Sequence, residues 1–448
     1  MLYRKKETEI KKWIKNPKNA LLVTGARQVG KTFIIRECLE ALKCDYIELN
    51  FIENPELVTV FEQSNSAHDL SVNLSLATGR ALIPGKTYIF IDEIQQYKNI
   101  VTKIKFLVDE GQYFYCLSGS LLGVELVNLS SAPVGYIDEI MMYSLDFEEF
   151  LYANSVDPSV IDELKKCYTN RTTISEYMHL KMMELYRRYL AIGGMPAAVN
   201  EYVASGDMNK VMVIQQNIIA QYKRDFTKYE QADKRLMIRS IYDNIPSQLL
   251  KQNRRFNYTD VEKKLRFEKV ESSFLWLTNA GVAIPVYNTS EPRVSLRQSR
   301  KSNLVKLYLS DIGLLSCLYG AGAKLKLLLN DKSLNCGGIY ENAVAQELLA
   351  HGYEAYYYNS RSLGELDFVI EHNGSILPIE VKSGKDYYLH SAINNVIKNK
   401  EFQIEEAFIL ADCNIETSGK VTYMPIYLMM FLTETKELPV LTPIDFQK

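Results

Sequence analysis

The stretch that decides the fold is Gly25-Ala26-Arg27-Gln28-Val29-Gly30-Lys31-Thr32, which matches the pattern G-x-x-x-x-G-K-[ST]. An apolar β-type run at Leu21–Val23 precedes it, and a helical run at Phe33–Leu42 follows it. In this strand–loop–helix setting, the glycines let successive backbone N–H groups point into one concavity at the start of the helix. We therefore predict that these eight residues bind ATP phosphates, with Lys31 on the β- and γ-phosphates and Thr32 on Mg²⁺.

A second apolar run, Thr87–Ile91, ends in the acidic pair Asp92 and Glu93. We predict that Asp92 holds magnesium through water, and that Glu93 orients and deprotonates the attacking water. The sequence has no Asn-Lys-x-Asp or Thr-Lys-x-Asp segment downstream that would recognise guanine, which favours ATP over GTP. A polar residue after the next apolar run would sense hydrolysis of the γ-phosphate, and both Ser118 and Ser120 fit that position.

Composition sets the broad class. The chain has 448 residues, 47% hydrophobic and 24% charged, which is ordinary for a globular protein of several domains. No apolar run approaches the roughly 20 residues that span a bilayer, and the Lys-rich start lacks the apolar core of a signal peptide. We therefore expect a cytoplasmic protein without a membrane partner. Seven cysteines without a C-x-x-C pair and five scattered histidines argue against structural zinc and disulfides.

Charge is unevenly distributed along the chain. The net charge is −2, but residues 221–310 contain 18 Lys and Arg against 9 Asp and Glu, an excess of nine positive charges. A basic segment in an acidic chain predicts an anionic partner, with nucleic acid as the first candidate. The alternative is a solvated basic face that balances acidic neighbours.

Short β-rich runs alternate with helical stretches between Ala20 and Gly119, which predicts an α/β fold with a parallel sheet and crossover helices. Residues 145–217 have helical periodicity, with a turn at Gly193–Pro196. A basic, helix-rich segment follows. A separate small α/β unit begins beyond Gly337.

The C-terminal unit contains a hairpin signal, Asn373-Gly374, between two β-rich runs. Pairing outward from this turn sets Glu380 opposite Asp367, with Cβ atoms roughly 5 Å apart. Lys382 projects from the same face, two residues beyond Glu380. Because like charges that face each other destabilise a sheet, two such carboxylates among apolar neighbours predict a cation between them. The alternative is a surface hairpin with unrelated charges.

Several motifs together resemble one family: prokaryotic AAA-superclass P-loop ATPases with a winged-helix segment and a C-terminal PD-(D/E)xK nuclease-like domain. The likeness covers nearly the whole chain, at residues 25–32, 90–95, 117–120, 145–150, 193–196, 245–249, 306–315 and 340–345. It implies a P-loop ATPase core at 1–144, a helical lid at 145–213, a winged-helix domain at 214–325 and a restriction-endonuclease-like domain at 326–448. By this resemblance Asp367 and Glu380 hold magnesium, Lys382 positions or activates water, and Glu341 completes the site.

One position departs from the family pattern, because Gly135-Tyr136 stands where relatives commonly have Gly-Arg. Arg187, Arg188 and Arg224 are the candidates to replace that arginine.

The segment implied to be a winged helix can be analysed residue by residue. We predict helices at Leu236–Asp243, at Tyr258–Leu265 with Thr259 or Asp260 as cap, and at Lys269–Ala280 with Gly281 as C-cap. A strand at Val282–Val286 and a basic wing at Pro292–Val305 would follow. A DNA complex would set Lys269 near the major groove and place four basic residues on phosphates: Arg293, Arg297, Arg300 and Lys301.

The sequence thus predicts an ATP-hydrolysing enzyme that acts on nucleic acid through a winged helix and a metal-dependent nuclease-like domain. Two alternatives stay open. One is a nucleotide-controlled switch that binds DNA or protein and has an inactive nuclease-like domain. The other is an assembly ATPase, a homo-oligomer in which the winged helix mediates subunit contact.

Overall fold

The computed structural model describes residues 2–97, 99–120, 135–226, 232–261 and 267–434. The chain forms two compact units, each built from several segments. Unit 1 comprises Met1–Pro158, Glu184–Pro285 and Leu307–Leu334, and unit 2 comprises Ser159–Met183, Val286–Lys306 and Asn335–Lys448. The finer division into four domains stays a prediction. Within the described ranges, no helix is both long and apolar enough to cross a membrane.

Unit 1 contains a five-stranded sheet in the order β2-β3-β4-β1-β5, in which neighbouring strands run parallel. The central strands are almost wholly buried, which agrees with their continuous apolar runs. The predicted parallel α/β sheet is therefore confirmed. The strands are β1 (Ala20–Gly25), β2 (Tyr46–Asn50), β3 (Tyr88–Asp92), β4 (Phe114–Ser118) and β5 (Ile137–Met142).

Helices connect these strands and continue beyond them. Local signals set several of their ends: the Ser66 hydroxyl accepts from Asp69 N at the start of α4, and Gly79 and Gly111, both with positive φ, end α4 and α5. In chain order the helices are α1 (Lys6–Lys15), α2 (Lys31–Ala41), α3 (Glu56–Gln63), α4 (Ala67–Thr78), α5 (Ile100–Glu110), α6 (Phe147–Ala153), α7 (Pro158–Asn170), α8 (Glu176–Ile192), α9 (Pro196–Ser205), α10 (Met208–Asp225), α11 (Ala232–Leu249), α12 (Phe267–Asn279), α13 (Ile312–Leu318) and α14 (Ala321–Leu328).

The predicted turn between α8 and α9 is confirmed, and close packing explains its glycines. A Cβ on Gly194 would lie 2.0 Å from Leu145 O, so a larger residue does not fit there without movement. Asp311, at the start of α13, accepts from Gly194 N at 2.7 Å and from Leu314 N at 3.0 Å. One buried carboxylate therefore caps a helix and holds this turn.

The basic middle segment is only partly as predicted. Helices α11 and α12 confirm two predicted helices, and Gly281 (φ 71°) ends α12 as its C-cap. The predicted cap at Thr259 or Asp260 is wrong, because Asn257 caps a 3₁₀ turn at Tyr258–Asp260. The rest of that predicted helix, beyond Val261, lies outside the described residues.

The predicted wing at residues 292–305 is also partly wrong. It contains a 3₁₀ turn at Leu296–Ser299, and the strand β7 begins at Arg300. Strands β6 (Ala283–Thr289) and β7 (Arg300–Leu309) join a larger sheet, in which β6 pairs parallel with β8 (Tyr356–Ser360). The winged helix therefore stays a prediction.

Unit 2 is organised around an eight-stranded mixed sheet in the order β12-β13-β11-β10-β9-β8-β6-β7. Its strands are β6 (Ala283–Thr289), β7 (Arg300–Leu309), β8 (Tyr356–Ser360), β9 (Gly364–His372), β10 (Ser375–Val381), β11 (Ala407–Ala411), β12 (Glu416–Ser418) and β13 (Val421–Pro425). Two further helices are α15 (Gly337–Ala350) and α16 (Ser391–Lys398). Apolar side chains of β8–β11 and α16 form the core.

The predicted hairpin register is confirmed. Asn373 (φ 51°) and Gly374 (φ 78°) both adopt the left-handed conformation that a two-residue hairpin turn requires. The β9–β10 ladder runs from Ser375 opposite His372 to Ile379 opposite Phe368. Its next position in register is Glu380 opposite Asp367.

Candidate nucleotide site and acidic cluster

The loop at residues 25–32, called the P-loop from here on, has backbone geometry that only glycine tolerates. Gly25 has φ 139°, and a Cβ there would lie 2.2 Å from Met142 O. Gly30 has φ 95° and immediately precedes α2, whose first residue is Lys31. The unpaired N–H groups of the first turn of α2 therefore face the loop, as an anion site requires.

Lys31 is 8% exposed and donates to two carbonyls of its own loop, Gly25 O at 3.1 Å and Ala26 O at 2.7 Å. Burial lowers the pKa of Lys31 to about 8, against the opposing effect of the Glu93 and Asp92 carboxylates. An anion at this position would favour the charged ammonium. The lysine is therefore placed so that its charge state responds to a phosphate.

Asp92 lies at the centre of the predicted magnesium site. Its Oδ2 accepts from the Thr32 hydroxyl at 3.0 Å, and its Oδ1 accepts from the Ser118 hydroxyl. Asn50 Nδ2 lies 3.5 Å from the same Oδ2. The structure thus brings the predicted residues Thr32, Asp92 and Ser118 together, and it adds Asn50, which the sequence did not suggest.

Glu93 adopts a left-handed backbone (φ 57°), which costs free energy for a residue with a Cβ and is often found at functional sites. Its carboxylate accepts from the Gln95 side-chain amide, which also lies 3.5 Å from Ser120 Oγ. Gln95 lies in the motif at residues 90–95, for which no role of this glutamine was predicted. Ser118 and Ser120 therefore occupy different places, the first on Asp92 and the second linked to Glu93 through Gln95.

Residues distant in sequence hold the P-loop from outside. Arg27 Nη1 lies 2.8 Å from both carboxylate oxygens of Asp225 on α10, and the Tyr222 hydroxyl donates to Arg27 O at 2.9 Å. Near the N-terminus, Arg4 Nη1 donates to Val29 O at 2.8 Å. Sequence analysis missed Arg4, Tyr222 and Asp225, because nothing in their local pattern shows what they contact.

The proposed substitutes for the absent arginine have different surroundings. Tyr136, at the position of that arginine, accepts a backbone hydrogen bond just before β5. Arg188 pairs with Glu184 at 2.5 Å. Arg187 lies on α8, and Arg224 lies on α10 beside Asp225.

In unit 2, the two strands of the hairpin bring the predicted carboxylates together. Asp367 Oδ2 accepts from Val381 N at 2.9 Å, and Lys382 Nζ lies 2.7 Å from Glu380 Oε1. Glu380 is 8% exposed, and its other oxygen, Oε2, is buried without a hydrogen-bond partner among the described residues. Burial, and then the charge of Asp367, raise the pKa of Glu380 to about 7.

A lysine that sequence analysis did not assign to this site lies beside these carboxylates. Lys306 of β7 is 0% exposed; its Nζ lies 2.7 Å from Glu365 Oε1 and 3.9 Å from Asp367 Oδ1. Burial lowers its pKa, but Glu341, Asp367 and Glu365 outweigh burial and raise it above the ordinary value. We call these groups the acidic cluster: Glu341, Glu365, Asp367 and Glu380 with Lys306 and Lys382.

The residues predicted to contact DNA phosphates make contacts within the protein. Arg293 pairs with Glu291 and Glu401, each at 3.3 Å, and Arg300 stacks 3.6 Å from the centre of the Tyr287 ring. Arg297, Lys301 and Lys269 are exposed. These contacts neutralise or cover part of the positive charge that suggested a nucleic-acid surface.

Three sequence-family models match consecutive parts of the chain. The AAA domain matches residues 17–151, and two domains of unknown function match residues 183–325 and 336–429. A comparison with curated proteins found no match.

Two of the matching solved structures have low sequence identity to the chain. A Walker-type ATPase of Pyrococcus abyssi is 14% identical; the match covers 71% of this chain and 96% of that one, with a TM-score of 0.43. A RuvB variant of Thermotoga maritima is also 14% identical, over 62% of this chain and 87% of that one, with a TM-score of 0.29.

Proposed function

We propose that this chain is a magnesium-dependent ATPase. The proposal builds on the AAA-type P-loop ATPase domain at residues 17–151, a type of domain that binds ATP. The observation that carries the proposal is the Thr32 hydroxyl held 3.0 Å from Asp92 Oδ2, next to a P-loop whose lysine is buried. A hydroxyl and a carboxylate in contact are oxygen ligands of the kind that magnesium prefers. Thr32 and Asp92 would hold the ion, which supplies charge neutralisation between phosphates.

The protein residues around this pair have separate tasks. Lys31 would turn from its loop carbonyls to the phosphates, where an anion favours its charged form. Glu93 would accept the proton of the attacking water, and Gln95 keeps its carboxylate oriented through the amide hydrogen bond. Ser118 orients Asp92 from the far side.

The substitution Glu93→Gln tests this mechanism. Glutamine has nearly the size of glutamate and the same preference against the left-handed backbone, but it cannot act as a base. ATP should therefore still bind, and steady-state turnover should fall by about 100-fold or more. Glu53→Gln, at an exposed position, is the matched control and should turn over ATP like the wild type. Turnover by Glu93→Gln within a few-fold of the wild type would remove the proposed base.

For unit 2 we propose metal-dependent hydrolysis of phosphodiesters in nucleic acid at the acidic cluster. Support comes from Glu380 Oε2, a buried carboxylate oxygen to which no group in the described part of the chain donates a hydrogen bond, which suits a cation ligand. Asp367 and Glu380 would hold magnesium, with Glu341 completing the site, and the ion would supply a polarised phosphate and an activated water. Lys382, paired with Glu380 at 2.7 Å, would orient that water. ATP hydrolysis would then control access of nucleic acid to this site.

Cleavage assays separate this proposal from its alternatives. The substrates are linear, branched and single-stranded DNA and RNA, with magnesium or manganese, with and without ATP. Asp367→Ala and Lys382→Ala should abolish cutting and leave ATP turnover intact, whereas Lys398→Ala, at an exposed lysine of unit 2, should change neither. A wild-type protein that cuts none of these substrates favours the nucleotide-controlled switch. Assembly that depends on ATP without nucleic-acid binding favours the assembly ATPase.

A further inference from the structure

Lys306 gives the acidic cluster a permanent internal cation. Its side chain leaves β7 within an apolar stretch, Leu304-Val305-Lys306-Leu307-Tyr308, and is 0% exposed. The ammonium lies 2.7 Å from Glu365 Oε1, 3.9 Å from Asp367 Oδ1 and 5.0 Å from the centre of the Tyr357 ring. Carboxylates of β9 and the aromatic ring of Tyr357 on β8 therefore surround the charge, and the side chain is shielded from water.

The positions of the two lysines divide the cluster into two sides. Lys306 lies on the side of Glu365 and Asp367, whereas Lys382 lies on Glu380 Oε1. Asp367 Oδ2 is already bonded to Val381 N. Glu380 Oε2 is buried without a hydrogen-bond partner among the described residues. The cluster thus has an ammonium beside Glu365 and Asp367 and, on Glu380, one buried oxygen to which no described group donates.

Charge balance leads to the same division. With all four carboxylates ionised, as they would be around a bound cation, they face two ammonium groups, which leaves two negative charges, the charge that one divalent ion neutralises. Two divalent ions would leave a net positive charge of two in a buried site, which is costly. Without Lys306 the same carboxylates would have three negative charges and room for a second cation.

We propose that Lys306 is a positioning residue that occupies the second cation place of the acidic cluster, so that the site takes one divalent ion. This inference rests on the proposed metal site in unit 2. It goes beyond that proposal because it assigns a role to a lysine outside the hairpin and fixes the number of ions. The site would then cleave by a one-ion arrangement, in which Lys306 supplies charge that a second ion supplies in two-ion sites.

Calorimetric titration with Mn²⁺ on the full chain without nucleotide tests the ion count. The wild type should bind one ion per chain at the cluster, and Asp367→Asn should lose that ion. Lys306→Met should take up a second ion or bind the first at least about tenfold more tightly, because a unit positive charge 3.9 Å from Asp367 Oδ1 is removed. Lys306→Arg keeps the charge and should bind one ion, as the wild type does.

Lys324→Met is the matched control, because Lys324 is also buried but contacts the Ala191 carbonyl and Gln215 rather than carboxylates. It should leave the Mn²⁺ count unchanged. Two ions lost together in Asp367→Asn, or one cluster ion of unchanged affinity in a folded Lys306→Met, would overturn the role of Lys306. A wild type that binds no more Mn²⁺ than Asp367→Asn would instead overturn the metal site itself. If Lys306→Met does not fold, Lys306→Gln removes the same charge with a polar side chain and is titrated in its place, with the same expected and contradicting results.

Discussion

The ion pair between Arg27 and Asp225 should set how well the P-loop accepts ATP. Asp225 is 4% exposed and the Arg27 side chain 26%, so the pair is largely shielded from water. Substituting Asp225→Asn keeps the shape of the side chain and removes its charge. A hydrogen bond to a charged group contributes about 1.5–3 kcal/mol, and the partial exposure of Arg27 favours the lower value, about 1.5 kcal/mol. That corresponds to about a tenfold change in an equilibrium constant.

The lost interaction energy should appear as a lower affinity for ATP, because a P-loop that is no longer held by α10 populates its phosphate-binding conformation less. We expect Asp225→Asn to weaken binding of ATP by up to about tenfold, measured by calorimetry in a variant that does not turn over, Glu93→Gln. In a double-mutant cycle, the variant that combines Asp225→Asn with Arg27→Met should lose no more affinity for ATP than the weaker-binding of the two single variants.

The control is Asp243→Asn, which breaks the pair of Asp243 with Lys223, another ion pair of α10. It should bind ATP within about twofold of the parent, since the Asp243 side chain is 37% exposed, a pair of this kind contributes at most about 1 kcal/mol, and Lys223 lies outside the P-loop. The reasoning is refuted if Asp225→Asn binds ATP as well as the parent, or if Asp243→Asn weakens binding equally.

Two further predictions concern charge and packing. The pKa of Lys31 is lowered to about 8, so its ammonium is charged below that pH and neutral above it. The affinity for ATP, measured as a function of pH, should be constant below about pH 7 and decline above about pH 8 by up to tenfold per pH unit. An affinity that does not change with pH would contradict this. A Cβ on Gly194 would lie 2.0 Å from Leu145 O, so Gly194→Ala should lower the free energy of unfolding by about 1–3 kcal/mol, measured in urea. Gly322→Ala, with nothing within 4 Å of the added Cβ, should leave it unchanged or raise it, and equal losses in both variants would argue against the clash.

The parts of the site that sequence predicted are contiguous in the chain. The P-loop needs only a strand, a glycine loop and the start of a helix, all within residues 20–41. The hairpin register follows from the turn at Asn373-Gly374 and the two-residue alternation of strands. In both cases local geometry fixes the arrangement before any distant contact forms.

The parts that sequence missed depend on contacts between distant segments. Asp225 lies 198 residues from Arg27, and Lys306 lies in a different strand from Asp367. A buried lysine in an apolar strand was the available signal for Lys306, but it does not say which carboxylates surround it.

The prediction of a wing at residues 292–305 was partly wrong for a different reason. The first half of β7, from Arg300, is polar and largely exposed because β7 lies at the edge of its sheet. This half has no buried side chain, so it does not show the alternation of apolar and polar residues that predicts a strand. The cap at Asn257 was missed because Thr259 and Asp260, two and three residues later, are also good capping residues.

The most direct test of the central claim is steady-state hydrolysis of ATP by the purified chain with and without magnesium, beside Lys31→Ala. We predict turnover by the wild type that requires magnesium, and loss of that turnover in Lys31→Ala, because the ammonium that is to meet the β- and γ-phosphates is gone. Turnover by Lys31→Ala equal to that of the wild type, or wild-type turnover that is independent of magnesium, would contradict the account.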